Sequence, residues 1–366
     1  MPADPHPPRP FRLSIYLALA YLLLVTYASL WPLAGWRLPD GEWLRFVTAP
    51  WPRYWTVADL VINALAYAPL GFLIALSLPR RWPRWAAVTL AALLGLLTSL
   101  AMEVLQQAVP GRIASNLDLI SNGVGALAGA LAGSAALARP ATLAALAGIR
   151  DRWLEPGHRA DAALMLLALW CFGQANPALP WMATRVFEGA LQPTLRYAID
   201  PFSMIGMGLS LACTLAVAMT LLVAVPEQRR RLLLPALPAA AAGAVKLAAA
   251  LILLKPDATL RWLTVESVVG VGYAVALAAL TLRRSAPVQA AVGAAAAAAA
   301  IALAYGFEPA ESPSAVLALF NWRHGHLLNF NGLTRLVAEL WPAAALAFFG
   351  MVALRRAGTE RFRTPG

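Results

Sequence analysis

The sequence has few charged residues and little cysteine. Charged residues make up 13% of the chain, whereas soluble domains carry about 25%, and this difference excludes an ordinary soluble enzyme. The two cysteines, Cys171 and Cys213, lie inside apolar runs, which excludes a disulfide-stabilised scaffold. Hydrophobic residues make up 60% of the 366 residues. This content excludes disorder except at the ends and requires that most of the chain lies in lipid.

Long apolar runs predict an all-α fold, a polytopic membrane helix bundle. A membrane-spanning helix requires about 20 mostly apolar residues, and ten stretches meet this requirement, although Asn176, Pro177 and Pro180 interrupt the fifth. An even number of spans places both termini on the same side. The predicted spans are roughly residues 12–30, 58–78, 86–108, 117–138, 161–179, 202–225, 233–254, 263–282, 287–305 and 336–354.

The distribution of basic residues predicts the orientation of these spans. Eighteen of the 29 Lys/Arg residues fall in the termini and loops of one side, and ten fall in the loops of the other side. Because basic residues concentrate on the cytoplasmic side, both termini are predicted to be cytoplasmic. The concentration of basic residues in the cytoplasmic loops therefore accounts for the net charge of +11. For this reason we expect no nucleic-acid partner.

The spans divide the chain into five regions. Residues 1–11 are predicted as a cytoplasmic tail, residues 12–138 as a four-helix membrane domain, and residues 139–160 as a cytoplasmic linker. Residues 161–286 are predicted as a second four-helix membrane region, for which a degenerate repeat of the first and an unrelated extension both remain open. Residues 287–366 would add two helices, a long outer loop and a basic cytoplasmic tail.

The first outer loop is rich in tryptophan. It contains Trp31, Trp36, Trp43, Trp51 and Trp55. Trp43, Val47 and Trp51 recur at helical spacing, which is compatible with a short segment in the head-group layer. An ordinary aromatic belt at the membrane surface is the interpretation that we prefer.

Ionisable residues inside membrane spans are energetically costly, and each of them is therefore a functional hypothesis. In this chain they are concentrated in spans two to four. The polar residues of these spans and of the loop between spans three and four are Asp59, Asn63, Glu103, Gln106, Gln107, Arg112, Ser115, Asp118 and Asn122. Within each span they stand three or four residues apart, so they project from one face of a helix. Together they predict a polar pocket that opens to the outer leaflet.

Four interpretations of this pocket remain open. Arg112 and the N-terminus of span four could hold a phosphate or carboxylate head group, or Glu103 and Asp118 could form a catalytic acid–base pair. The carboxylates could also bind a hard cation, or the polar groups could hydrogen-bond across helices and only stabilise the bundle. We favour head-group binding. No metal site is expected, because His324 and His326 lack the spacing of metal ligands on a helix and have no cysteine nearby. No cofactor is expected either, because no nucleotide-binding or catalytic motif stands in a convincing context.

Span four carries a row of glycines. Gly125, Gly129 and Gly133 recur every four residues, and Gly71 lies in span two. Small residues at this spacing let two membrane helices approach closely. The sequence therefore predicts close packing of span four on another helix.

Lys246 is a basic residue placed deep inside a span. It lies nine residues before Lys255, which places it about 13 Å below the end of span seven at 1.5 Å per residue. A lysine at this depth requires a partner. Glu103 is the candidate partner, because it lies at a similar depth in its own span. The alternative is that the ammonium group of Lys246 snorkels to the surface.

Four motifs in the first four spans follow one another in a specific order. They are Tyr27-x-Ser29-Leu30-x-Pro32, Asp59-x3-Asn63-x3-Tyr67-x-Pro69-Leu70-Gly71-Phe72, Glu103-x2-Gln106 and Pro110-x-Arg112-x2-Ser115-x2-Asp118-x3-Asn122-x2-Gly125. Through these motifs, residues 14–138 resemble the VanZ-like family of bacterial membrane proteins. Many members carry His where this chain has Asn63, so we assign no proton transfer to that position. Tyr67, from the second motif, completes the candidate site.

The resemblance implies a multipass protein of the bacterial cytoplasmic membrane without established enzymatic activity. The namesake of the family is associated with low-level resistance to the glycopeptide teicoplanin. The resulting hypothesis is a pocket that binds the head group of an envelope lipid or lipid-linked cell-wall intermediate, with Arg112 on the anionic group, in glycopeptide resistance or envelope maintenance. The alternatives are an enzyme that modifies lipid-linked glycans through Glu103 and Asp118, a transporter, and a structural membrane subunit with protein partners still to be found.

Overall fold

The computed structural model describes residues 11–31, 33, 35–39, 41–53, 55–79, 81–185, 202–307 and 326–361. Within these ranges the regular secondary structure is helical, without strands, which confirms the all-α prediction. The chain divides into two compact units, Met1–Arg150 and Asp151–Gly366, called here the N-terminal and C-terminal units. The predicted five-region division of the chain stays a prediction.

The N-terminal unit is built on a bundle of four long helices. Its helices are α1 (Phe11–Leu30), α2 (Arg45–Thr48), α3 (Val57–Ser77), α4 (Arg84–Gln106) and α5 (Asn116–Leu137), and α6 (Pro140–Trp153) follows within the predicted linker. α5 packs along α3 and α4, and α1 packs on α3.

Glycine allows the close approach of α3 and α5. A Cβ atom added at Gly129 would overlap the carbonyl oxygen of Ala68 and lie 2.7 Å from its carbonyl carbon. One at Gly125 would lie 2.7 Å from the carbonyl carbon of Ala64. From the opposite side, a Cβ atom at Gly71 would meet the Ala126 backbone at 2.8 Å. The close packing predicted from the glycine spacing is therefore confirmed, with α3 as the partner.

The C-terminal unit surrounds one buried helix. Its helices are α7 (His158–Gln174), α8 (Met204–Ala224), α9 (Leu237–Leu253), α10 (Val265–Leu280), α11 (Ala286–Gly306) and α12 (His326–Arg361). α8 is apolar on all sides and packs against α7, α10 and α11, while α12 packs against α7 and α11. A helix that is hydrophobic all round belongs in the centre of a bundle, and most of α8 is buried.

The helices agree with the predicted spans in position, with differences in length. Eight of the described helices are long and apolar enough to cross a membrane, namely α1, α3, α4, α5, α8, α9 with its preceding turn, α11 and α12. α10 is apolar but shorter, and α7 ends at Gln174, just before the predicted interruption at Asn176. The count of ten spans and the cytoplasmic termini stay predictions.

α12 differs from its predicted span. It begins at His326 and runs for 36 residues, whereas the apolar pattern predicts a start near residue 336. At 1.5 Å per residue this helix is about 54 Å long, longer than the hydrocarbon core of a bilayer. The first turns mix apolar side chains with Asn329, Asn331 and Arg335, so the apolar pattern alone does not mark their start. His324, in the predicted outer loop, lies outside the described residues.

Candidate functional site

The α4–α5 turn brings polar residues of two helices together. Gly111 has a backbone φ of +76°, a left-handed conformation that glycine adopts without strain, and the chain reverses direction here. Ser115 then caps α5, since its hydroxyl accepts a hydrogen bond of 3.3 Å from the backbone N–H of Asp118. The cap places Asp118 in the first turn of α5, where the helix dipole favours a carboxylate.

Glu103 lies in the last turn of α4 and is 3% exposed. Its carboxylate accepts a hydrogen bond of 2.9 Å from the backbone N–H of Ser115, which joins the end of α4 to the start of α5. Asp118 and Arg112 are near enough to act on it electrostatically. A carboxylate this deeply buried needs such partners, because burial of an isolated charge is costly.

Arg112 lies in the α4–α5 turn, outside the membrane-spanning helices, and is half-buried. Burial lowers the pKa of its guanidinium, while the negative charges of Glu103 and Asp118 raise it, and the group stays protonated. Its Nη2 donates a long hydrogen bond of 3.4 Å to the carbonyl of Ala28 in α1. Arg112 is thus a cation near two carboxylates, with most of its five donors unengaged by the described residues.

Asn63 links α3 to this group. Its Nδ2 donates a hydrogen bond of 2.7 Å to Oδ1 of Asp118. The structure therefore brings together five of the predicted residues, which we call the Glu103 cluster: Asn63, Glu103, Arg112, Ser115 and Asp118. Three helices and one turn contribute to it.

A second polar pair lies one helical turn further along α4 and α5. Nδ2 of Asn122 donates a hydrogen bond of 2.9 Å to the hydroxyl of Ser99, and both residues are buried. The hydroxyl of Tyr67 lies close to Ser99 and Glu103. Oδ1 of Asn122 has no hydrogen-bond partner among the described residues. Buried polar atoms rarely stay unpaired.

Ser99 is a residue of this site that the sequence analysis does not single out. It stands four residues before Glu103 and therefore projects from the same face of α4. That spacing is the signal that would have found it. Serine is common in membrane helices, where its hydroxyl satisfies a backbone carbonyl or packs against a neighbouring helix, so the signal is weak.

Other predicted residues make contacts that hold the fold. Gln106 donates to the carbonyl of Ser29 at 3.0 Å, and Gln107 donates to the carbonyl of Trp43 at 2.6 Å. Asp59 forms a capping box with Thr56 at the N-terminus of α3. These side chains belong structurally to helix ends and to the loop after α1, and sequence spacing alone does not distinguish this use from ligand binding.

Lys246 is fully buried in α9 of the C-terminal unit. Its ammonium donates to the backbone carbonyls of Asn176 at 2.6 Å and Leu179 at 3.1 Å, just beyond the end of α7. Among the described residues no carboxylate forms an ion pair with it. The expected pairing with Glu103 is therefore wrong, and so is snorkelling. The physical reason is that the break after α7 exposes carbonyls inside the unit, and these accept the ammonium protons.

Comparison with known proteins supports the resemblance in the N-terminal unit. Residues 15–137 match the model of the VanZ/LLP1 family, a stretch that runs from α1 to the end of α5 and includes every predicted site residue. No curated protein and no solved structure has significant similarity to the chain. The eight apolar helices are of membrane-spanning length. The chain is therefore a multi-pass membrane protein whose N-terminal third, residues 15–137, matches the VanZ/LLP1 family.

Proposed function

We propose that the VanZ/LLP1 domain binds the head group of an envelope lipid, or of a lipid-linked cell-wall intermediate, at the Glu103 cluster. One observation carries this proposal. Beside the Glu103 cluster, two buried amide oxygens lack a hydrogen-bond partner among the described residues, namely Oδ1 of Asn122 and Oδ1 of Asn116. Hydroxyl and amide groups of a sugar or peptide head group would supply the missing donors.

Arg112 is the residue that would hold the anionic part of the ligand. Its one hydrogen bond to a described residue is long, 3.4 Å to Ala28, so the planar guanidinium retains donors for a phosphate or carboxylate. Glu103 and Asp118 orient it electrostatically. In the same arrangement these two carboxylates would accept hydrogen bonds from ligand hydroxyls.

The depth of the cluster favours a lipid over a water-soluble ligand. Glu103 lies three residues before the end of α4 at Gln106, about 4.5 Å along the helix. Because α4 has the length of a membrane span, we infer that this position lies near the level at which lipid head groups meet the hydrocarbon core. A molecule anchored in the bilayer would present its polar group at this level without leaving the membrane.

The proposal is tested by native mass spectrometry of the protein released from membranes. We expect the wild type to retain a defined anionic lipid and Arg112→Ala to lose it. Charge-assisted hydrogen bonds contribute about 1.5–3 kcal/mol, so the affinity for the lipid should fall roughly tenfold or more. Arg139→Ala is the matched control, because Arg139 is an exposed arginine just beyond the other end of α5, and this variant should retain the lipid.

The opposite result is equally informative. If all three proteins carry the same lipids and Arg112→Ala is only less thermostable, the cluster stabilises the helix bundle and is not a binding site. The function would then reside in the C-terminal unit or in a partner protein.

A membrane enzyme acting on lipid-linked glycans is the second candidate, favoured by two carboxylates in unequal surroundings. Glu103 is buried, whereas Asp118 is half-buried and bonded to Asn63. Glu103→Gln can still accept the hydrogen bond of the Ser115 N–H, so we expect the fold and lipid retention to survive. Loss of a modified lipid from cell extracts on this substitution would identify an enzyme, whereas an unchanged lipid profile would favour binding alone.

By analogy with the namesake of the family, we place the protein in the bacterial cytoplasmic membrane and connect head-group binding to glycopeptide resistance or envelope maintenance. Binding of a lipid-linked precursor would change its availability to a glycopeptide. Expression of the wild type should then raise the teicoplanin concentration that inhibits growth, and expression of Arg112→Ala should not. Equal inhibition in both strains, at equal protein levels, would separate the protein from this phenotype.

A further inference from the structure

The segment between α1 and α3, residues 31–56, is fixed on the α4–α5 turn; we call it the tryptophan loop. The backbone N–H of Arg37 donates to the carbonyl of Ala108 at 2.9 Å. Two amide side chains at the α4–α5 turn also bind the loop. Gln107 donates to the carbonyl of Trp43 at 2.6 Å, and Asn116 donates to the carbonyl of Ala49 at 2.7 Å. The loop therefore has a defined inner face and a defined outer face.

The two faces of the loop differ in chemistry. Phe46, on the single-turn helix α2, is the loop's buried large apolar side chain among the described residues. The exposed large apolar side chains of the loop are Trp31, Leu33, Trp36, Leu38, Trp43, Leu44, Val47, Trp51 and Trp55. So many exposed large apolar side chains on one short loop are unusual on a protein in contact with water. It therefore indicates that something apolar covers the loop.

The position of the loop identifies what covers it. The loop joins the ends of α1 and α3, and both helices have the length and hydropathy of membrane spans, so it lies where a bilayer surface must be. Tryptophan is favoured at this level, because its ring is apolar while its N–H can bond to head groups or water. Arg37, Arg45 and Arg53 are exposed on the same loop, and their guanidinium groups match lipid phosphates.

We propose that the tryptophan loop is a membrane-docking surface that inserts its indole rings into the phospholipid head-group layer, with its three arginines on lipid phosphates. The occupant is thus the bilayer itself. The proposal rests on contacts of the loop and not on the proposed function. It also extends that function. A loop that lies in the head-group layer beside the Glu103 cluster admits ligands from the bilayer in preference to ligands from water.

Electron paramagnetic resonance tests the depth of the loop. In the full chain carrying Cys171→Ala and Cys213→Ala, a nitroxide is attached at Trp51→Cys, since Trp51 is 64% exposed. The protein is placed in vesicles of phosphatidylethanolamine and phosphatidylglycerol. The rate at which the label collides with oxygen, which partitions into lipid, is compared with the rate at which it collides with a water-soluble nickel complex. Gln228→Cys, in an exposed polar turn, provides the aqueous reference.

We expect position 51 to collide several-fold more with oxygen than with the nickel complex, and position 228 to show the reverse. If position 51 behaves like position 228, the loop lies in water and the proposal is wrong. If position 51 is shielded from both reagents, protein covers the loop, which also overturns the proposal.

Two further variants make the test specific. Arg45→Glu combined with Arg53→Glu should shift position 51 toward the nickel complex, because carboxylates are repelled by lipid phosphates; an unchanged ratio would exclude the arginines from docking. Arg112→Ala should leave the ratio unchanged. Docking of the loop and head-group binding at the Glu103 cluster can therefore fail independently of each other.

Discussion

Replacement of Gly129 by alanine is expected to unfold the N-terminal unit at temperatures at which the wild type is folded. A Cβ atom there would overlap the carbonyl oxygen of Ala68 and lie 2.9 Å from the backbone nitrogen of Phe72. Both atoms belong to the backbone of α3, so no rotamer change relieves the overlap. The two helices must separate, and the contacts along their shared face are lost.

The expected cost of Gly129→Ala is at least about 3 kcal/mol, at the upper end for overpacking. Lipid offers no hydrophobic driving force between helices, and close packing is therefore a main source of their association. The melting temperature in detergent, followed by fluorescence-detected size-exclusion chromatography, measures this loss.

Gly123→Ala on the same helix is the matched control. Its Cβ atom would meet a terminal methyl group of Leu96 at 3.0 Å, which can move, and alanine is the better helix former by about 1 kcal/mol. We therefore expect an unchanged or slightly higher melting temperature. If Gly129→Ala and Gly123→Ala have the same melting temperature, close α3–α5 packing does not determine the stability of the N-terminal unit.

Replacement of Lys246 by alanine is expected to destabilise the C-terminal unit by about 3–5 kcal/mol. The substitution removes the donors from the carbonyls of Asn176 and Leu179, and each unsatisfied buried carbonyl costs about 1–3 kcal/mol. It also leaves a cavity in place of a fully buried side chain. Loss of an unpaired buried charge partly offsets these costs.

The loss should be local. Residues 175–185 are not helical, and most of them are buried, so their backbone depends on side-chain donors and acceptors such as Lys246 and Gln174. Hydrogen exchange of this segment should accelerate in Lys246→Ala. Lys255→Ala, which replaces the other lysine of the chain at a partly exposed site, should leave both exchange and melting unchanged. Protection equal to the wild type in Lys246→Ala would show that the ammonium does not hold this segment.

Several features could be predicted from the sequence because they depend on local composition and spacing. The all-α membrane class follows from the apolar content, since lipid requires helices that satisfy their own backbone. The end of α7 follows from Asn176 and Pro177. The candidate cluster follows from the cost of placing Glu103 and Asp118 in spans. The glycine spacing in α5 likewise indicates a close helix contact.

Tertiary structure alone decided which groups meet. Periodicity shows that Asn63 and Asp118 each lie on the polar face of a helix, but not that these faces oppose one another at 2.7 Å. Gln107 appears equally suited to a ligand and to the carbonyl of Trp43 that it binds. Lys246 matches Glu103 in depth, yet it binds the carbonyls after α7. A hydrogen bond requires alignment within a few tenths of an ångström. Depth and helical phase restrict a side chain only to a level and a face, so the partners are determined by how the helices pack.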